Sequence, residues 1–165
     1  MKDGIDARAT VNELLVEIFN HILPLEERYL KQLGVKISVT EIHILENVGK
    51  SVTKTMSEVA KLQGVTAGTL TVGVDRLVHK GYLTKNKIAK DKRAVHLHLT
   101  ALANEVLEIH KEFHNRLVNA CVEDLGLENE ESVVQGLQKI ASFFKDEMDQ
   151  RWDFMKNNRK LEVKK

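Results

Sequence analysis

Cysteine, proline and aromatic residues are scarce in this 165-residue sequence, which has one cysteine, one proline and 5% aromatic residues. A single cysteine, Cys121, excludes an intrachain disulfide and fits a reducing compartment. It shares an apolar helical stripe with Phe113 and Leu117, so we interpret it as a buried hydrophobic residue rather than a redox sensor. With one proline, most of the chain is free to form long helices.

Long apolar runs are also missing. No run reaches the roughly 18 residues that suggest a membrane span, and the N-terminal stretch MKDGIDARAT lacks the apolar segment of a signal peptide. We therefore expect a cytoplasmic protein that does not enter a membrane. The sequence also lacks a glycine-rich phosphate loop and a serine nucleophile in a sharp strand-turn-helix setting, so we do not expect an enzyme.

The small net charge of +1 conceals a strong polarity along the chain. Between Asp75 and Arg93, seven Lys or Arg stand against two acids, whereas between Glu123 and Asp149 eight acids stand against two Lys. A local basic segment is what neutralisation of a phosphate backbone requires. The middle of the chain is therefore where we expect a nucleic-acid contact.

Helical spacing of apolar residues predicts the elements before this basic segment. A first helix should run from about Ala7 to Gln32, with a kink or break near Asn20 caused by Pro24. A second should begin at Ser38 or Thr40 and end at Gly49. Two short helices follow: Thr55 and Glu58 form a capping box, Gly64 ends the first, Thr66 caps the second, and Gly81 ends it.

The period then changes from helical to two. YLTKNKI and AVHLHL, separated by AKDKR, predict a β-hairpin. His96 and His98 alternate with apolar residues, so we interpret them as the outward face of the returning strand rather than as metal ligands. Two short helices followed by a hairpin are the elements of a winged helix-turn-helix, which reads the DNA major groove with its second short helix.

Long helices should complete the chain. Thr100 caps one that ends near Gly126, and the last carries an apolar stripe from Val133 to Met155 that is too long for this chain to cover alone. We predict a mainly α protein with a small β-hairpin wing. Residues 36–100 form the winged helix-turn-helix, and residues 1–35 and 101–165 form dimerisation helices.

The predicted DNA contacts lie on the second short helix and on the wing. Small and hydroxyl side chains let the backbone approach the duplex, Arg76 and Lys80 suit phosphates, and Arg93, held by Asp91, suits a narrow minor groove. The candidates are Thr66, Ala67, Gly68, Thr69, Thr71, Val72, Asp75, Arg76, Lys80, Lys85, Lys87, Lys90, Asp91, Lys92 and Arg93. Winged helices also serve as protein-assembly modules without DNA, and this alternative stays open.

Several strings resemble one family. RLVHKGYL, the wing triplet Asp91-Lys92-Arg93 and Leu99-Thr100 resemble the MarR family of bacterial regulators over the span Met56 to Thr100. EIHILENVGK, VTAGTLT, VHLHLT and EIHKEFH are similar to the FabT-type subgroup, repressors of bacterial fatty-acid synthesis. Ala103 stands where the family usually has Gly, and the tail RWDFMKNNRKLEVKK is longer than the family pattern.

The resemblance implies a homodimer that binds a palindromic operator in double-stranded DNA, helped onto it by acyl carrier protein with a long acyl chain. No cofactor is required in this interpretation. Apolar residues of the long helices could line an acyl-chain pocket or simply form dimer core. The pocket candidates are Ile18, Phe19, Ile22, Phe113 and Leu117.

Zinc is the alternative effector. His110 and His114 stand four residues apart on one helical face, and Glu41 and His43 could complete a tetrahedral site if the second helix packs nearby. Zinc-responsive members of the MarR family use a similar pairing of helices. The alternative function is therefore a zinc-responsive repressor.

Overall fold

The computed structural model describes residues 6–88, 91–123, 126–127 and 130–162, without the side chains of residues 87–88, 91–94, 121 and 155–162. In chain order the elements are α1 (Ala7–Gln32), α2 (Val39–Lys50), α3 (Met56–Gln63), α4 (Ala67–His79), β1 (Leu83–Ile88), β2 (Asp91–Leu99), α5 (Ala101–Val122) and α6 (Glu131–Glu162). The predicted mainly α fold with one small hairpin is confirmed. Among the described helices, none offers an apolar stretch that could cross a membrane.

The chain divides into two compact units, Met1–Val39 and Thr40–Lys165, which are described separately. The first contains α1, whose N-terminus is capped by the Asp6 carboxylate, an acceptor for the Arg8 and Ala9 backbone N–H groups at 3.1 and 3.3 Å. Pro24 lies inside α1, and the break expected near Asn20 does not occur. A proline removes one backbone hydrogen bond, and the remaining turns of the 26-residue helix carry it through.

In the second unit, side-chain caps separate α3 from α4 as predicted. The Thr55 hydroxyl accepts the Glu58 N–H at 3.3 Å, and the Thr66 hydroxyl accepts the Thr69 N–H at 3.2 Å. Between the helices, Gly64 has φ +67°, a left-handed conformation that glycine adopts without steric cost. These short-range signals fix where α4 begins.

The hydrogen-bond partners of the Glu58 carboxylate differ from those that a capping box predicts. The carboxylate accepts the Thr53 and Val52 backbone N–H groups at 2.8 and 3.3 Å, together with the hydroxyls of Ser51 and Thr53, and thereby closes the turn between α2 and α3. Hydrogen bonds from Ser51 and Thr53 stabilise the charged form and lower the pKa of Glu58 to about 2. The turn that precedes α3 is therefore organised around one carboxylate.

One face of α4 is buried and the other is exposed. Leu70, Val74 and Leu77 are at most 1% exposed. Gly73 permits close approach to α2, because a Cβ at this position would lie 2.6 Å from Cδ1 of Ile44. Other buried apolar residues of this unit include Ile42, Leu45, Val48, Val59, Ala60, Leu83, Leu97, Ala103 and Val106. The core therefore holds α4 from one side and leaves its opposite side bare.

The hairpin is antiparallel, with Leu83 opposite Leu99 and Asn86 opposite His96. Its second strand begins at Asp91, earlier than the predicted AVHLHL, and the register shifts between Lys87 and Ile88. Residues 91–93, expected in the loop, are strand residues here because the bulge lets the pairing continue. The strand is also tied to the turn before α3, where Leu97 donates its N–H to the Lys54 carbonyl at 2.8 Å.

Thr100 caps α5 by accepting the Ala103 N–H at 3.3 Å, as predicted. The helix ends at Val122, before the expected Gly126. After it, α6 spans 32 residues. Its apolar stripe is exposed in the isolated chain, at positions that include Val133, Leu137, Phe144 and Met148.

Glu58→Gln should lower the urea midpoint of unfolding at pH 7. The folded-state pKa of about 2 lies below the ordinary 4.5, so the stabilisation is present above pH 4.5 and is lost as the pH falls toward 2. The difference between Glu58→Gln and the unsubstituted protein should therefore shrink over that range. Glu105→Gln, at an exposed position of α5, is the control, and a difference equal at pH 7 and pH 3 would contradict this account.

Candidate nucleic-acid interface

The bare face of α4 presents small, hydroxyl and apolar side chains to solvent. Thr66 and Ala67 are half-buried at its N-terminus, and Val72 is 53% exposed near its centre. The first turn carries no acid, so the partial positive charge of the helix N-terminus is not opposed there. The exposed candidates on this helix are Gly68, Thr69, Thr71, Val72, Asp75 and Arg76.

Local hydrogen bonds orient the threonine hydroxyls. Thr71 donates its hydroxyl to the Ala67 carbonyl at 2.7 Å, and the hydroxyls of Thr66 and Thr69 lie 3.0 Å apart. Because the Thr71 proton is committed to its own helix, this side chain can offer a partner an acceptor lone pair and a methyl group. Together with Val72, it forms a surface suited to thymine methyls and base-edge donors.

Asp75 and Lys85 are brought together by the fold. The Lys85 ammonium donates to the Asp75 carboxylate, so the end of α4 is tied to strand β1. Their side chains are 60% and 32% exposed, respectively, and both therefore stay on the surface of the interface. The pair reduces the repulsion that a lone carboxylate would exert on phosphate.

Lys80 and Glu41 also form an ion pair. The sequence analysis predicted instead that Lys80 contacts phosphate and that Glu41 is a metal ligand. Lys80 Nζ lies 2.9 Å from both carboxylate oxygens of Glu41. The Glu41 side chain is 8% exposed and that of Lys80 is 37% exposed. The structure thus uses these two residues to join the end of α4 to α2, and the charge of Lys80 is compensated within the protein.

The remaining wing candidates lie outside the described side chains. Lys90 is not described at all, and of Lys87, Asp91, Lys92 and Arg93 only the backbone is described. Their backbone places Asp91, Lys92 and Arg93 on β2. The contact of Asp91 with Arg93, and of Arg93 with DNA, stays a prediction.

The acyl-pocket candidates fall in both compact units. Ile18 and Phe19 on α1 are 54% and 53% exposed, and Ile22 is half-buried. On α5, Phe113 is 6% exposed and Leu117 is half-buried. Whether the two groups line one pocket stays a prediction.

Three histidines cluster between α2 and α5. His110 Nε2 and His114 Nε2 lie 3.2 Å apart, and the ring centroids of His43 and His110 are 5.6 Å apart. Two nitrogens of a tetrahedral zinc site with Zn–N distances of about 2.0–2.1 Å lie about 3.3 Å apart. The His110–His114 spacing therefore fits zinc.

Glu46 joins this cluster, and the sequence analysis missed it. Its carboxylate lies 3.4 Å from His110 Nδ1, and a carboxylate in this place orients the ring and leaves Nε2 to face a metal. At about 100° per residue, Glu46 is about 60° from His43 around α2, whereas Glu41 is about 160° away. Helical spacing therefore contained the signal for Glu46 and argued against Glu41.

Comparisons with known proteins agree with this geometry. A model described as the MarR family matches residues 37–95. FabT from Streptococcus pneumoniae, solved in complex with DNA, is 34% identical, with 84% of this chain and 98% of that chain covered and a TM-score of 0.78. The regulator BldR from Sulfolobus solfataricus is 27% identical, with coverage of 84% and 97% and a TM-score of 0.62.

A curated relative matches over a shorter stretch. The uncharacterised HTH-type transcriptional regulator YhjH from Bacillus subtilis is 25% identical over 81 residues. The match covers 49% of this chain and 46% of YhjH, so it spans less than half the length of that relative.

Lys80→Met should lower the free energy of unfolding by about 1–3 kcal/mol, because it leaves the nearly buried Glu41 carboxylate without this partner. Lys85→Met, which opens the more exposed pair with Asp75, is the matched control and should cost less than about 1 kcal/mol. Urea unfolding measures both. Equal costs in the two variants would show that the Glu41 pair does not anchor α4.

Proposed function

Because the chain belongs to the MarR family of DNA-binding transcriptional regulators, we propose that it binds a palindromic operator as a homodimer with α4 of each subunit in a major groove. The observation that carries this proposal is the two-sided character of α4. Its buried face fixes the helix in the core, and its exposed face offers threonines, Val72 and Arg76 without a bulky side chain in the first turn. Members of this family are regulators and not enzymes.

The exposed stripe of α6 supports a homodimer. Val133, Leu137, Phe144 and Met148 recur at helical spacing and are each at least 37% exposed in the single chain. A monomer gains nothing by exposing such a stripe, whereas a second copy would remove it from water. Binding to successive major grooves requires the two copies of α4 in such a dimer to lie about 34 Å apart, which is one turn of the duplex.

For the biological role, we propose repression of fatty-acid synthesis genes. The support is the similarity to Streptococcus pneumoniae FabT, 34% identical across nearly the whole of that protein. In this proposal acyl carrier protein with a long acyl chain raises the affinity for DNA. Phe113 and Leu117 on α5 are the candidate residues for the acyl chain in the second unit, and Ile18, Phe19 and Ile22 are the candidates on α1.

Zinc is a second candidate effector because of one specific observation. The His110–His114 spacing of 3.2 Å fits two zinc ligands, His43 lies beside them, and Glu46 contacts His110 Nδ1. If zinc binds, His110 and His114 would hold it through Nε2. Since α2 carries both His43 and the Glu41 partner of Lys80, a metal here would bear on the helix that supports α4.

Arg76→Ala should weaken operator binding by about 1–3 kcal/mol and make the salt dependence of binding shallower by about one ion per subunit, because one phosphate contact per subunit is lost. Fluorescence anisotropy on a palindromic duplex at several salt concentrations measures both quantities. Lys111→Ala removes an exposed cation from α5 and is the control.

Unchanged affinity in Arg76→Ala would remove α4 from the contact. Affinity of the unsubstituted dimer that does not vary with salt would favour the protein-assembly alternative over DNA binding.

An operator-shift titration should separate the effectors. Its arms are acyl carrier protein with a long acyl chain, the free carrier protein, and zinc with a chelator control. We expect the acylated carrier alone to raise the affinity for DNA in both the unsubstituted protein and His114→Gln. A zinc response that disappears in His114→Gln would select the metal instead, and no response in any arm would contradict both effectors.

A further inference from the structure

The far half of α6 returns to the helix-turn-helix. A Cβ at Gly64, between α3 and α4, would lie 2.6 Å from Cε of Met148, so the methionine methyl sits directly against the turn. Beside it, Lys61 Nζ lies 3.6 Å from Oδ1 of Asp149. Met148 and Asp149 of α6 thus contact Gly64 and Lys61, respectively, at the C-terminal end of α3.

The lengths of the helices make this return possible. The 22 residues of α5 span about 33 Å. From Glu131, the first 18 residues of α6 span about 26 Å before Met148 is reached. A final helix that ended before Met148 would not make this contact, which needs the first 19 of the 32 residues of α6.

The contacted turn is the one that sets the direction of α4. Gly64 holds φ +67° and donates its N–H to the Lys61 carbonyl at 3.0 Å, and Val65 donates to the Ala60 carbonyl at 3.1 Å. Two residues later Thr66 caps the recognition helix. Only Gly64, Val65 and Thr66 lie between α3 and α4. A displacement of this turn would therefore also displace the N-terminus of α4.

We propose that Met148 and Asp149 are positioning residues for DNA recognition, which hold the α3–α4 turn from the final helix. This inference rests on the proposed DNA binding and adds a route from the dimerisation helix to the recognition helix. Met148 belongs to the exposed apolar stripe and at the same time touches Gly64. Assembly of the dimer and the direction of α4 therefore share one side chain.

The ion pair serves as the reporter of this contact. Lys61 and Asp149 are 53% and 54% exposed, so the pair adds little stability by itself and can be reversed without harm to the core. The single change Asp149→Lys gives opposite expectations under two accounts. Exchange of an acid for a base raises the affinity for DNA if only net charge matters, and lowers it if the contact positions the turn.

The test compares Asp149→Lys, Lys61→Asp and the double exchange in the full-length protein. Anisotropy measures affinity for a palindromic operator and for an unrelated duplex, and circular dichroism and sedimentation check folding and dimer mass. We expect Asp149→Lys to weaken operator binding at least threefold with little change on the unrelated duplex. The double exchange, which keeps the net charge, should return to within about twofold of the unsubstituted protein.

Asp146→Lys makes the same charge change one turn earlier on α6 and is the matched control, expected to keep or raise the affinity. The proposal is overturned if Asp149→Lys behaves like Asp146→Lys, or if the double exchange is no better than Lys61→Asp. If Asp149→Lys does not fold, Met148→Ala decides: an unchanged ratio of operator to unrelated-duplex affinity overturns the proposal. If the unsubstituted protein does not bind DNA, the proposed function is refuted instead.

Discussion

The burial of only one face of α4 is the constraint on which the interface depends. Leu70, Val74 and Leu77 remove one face of a 13-residue helix from water, and Gly73 lets that face approach Ile44 more closely than any larger residue would allow. The opposite face is then exposed by geometry. It can carry side chains chosen for a ligand, because none of them is needed for packing.

Charge pairing limits which cations can act on DNA. Lys80 is held by Glu41 and Lys85 by Asp75, so two of the basic residues that make the sequence look strongly positive are compensated within the protein. The two pairs join α4 to α2 and to β1 and therefore keep the recognition helix in place. Among the described side chains of the interface, this gives Arg76 the larger share of the attraction to phosphate.

Local signals were predictable from the sequence, and tertiary partners were not. Thr55, Thr66 and Thr100 cap their helices as expected because a cap bonds to backbone only two or three residues away. The carboxylate of Glu58 leaves the expected local bond for the preceding turn, whose position depends on how α2 and α3 pack. Similarly, proximity in sequence suggested Glu41 for the histidine cluster, whereas packing of α4 gives it Lys80.

The longer helices show the same difference between local features, which the sequence predicts, and tertiary contacts, which it does not. Apolar periodicity predicted the bounds of α1 correctly. Of the kink or break expected near Asn20 because of Pro24, the break does not occur, since one missing hydrogen bond is small against a long helix. The apolar stripe of α6 was visible in the sequence. Its contact with Gly64 could not be foreseen, because it depends on the lengths and directions of two helices together.

The central claim is that the bare face of α4 lies in the major groove of an operator. A photo-crosslinking side chain at position 72 tests it most directly, with the same group at Val118, an equally exposed position of α5, as reference. The account predicts crosslinks from position 72 to bases of both half-sites and none from position 118. Equal crosslinking from the two positions, or crosslinks from position 72 that do not depend on the DNA sequence, would contradict it.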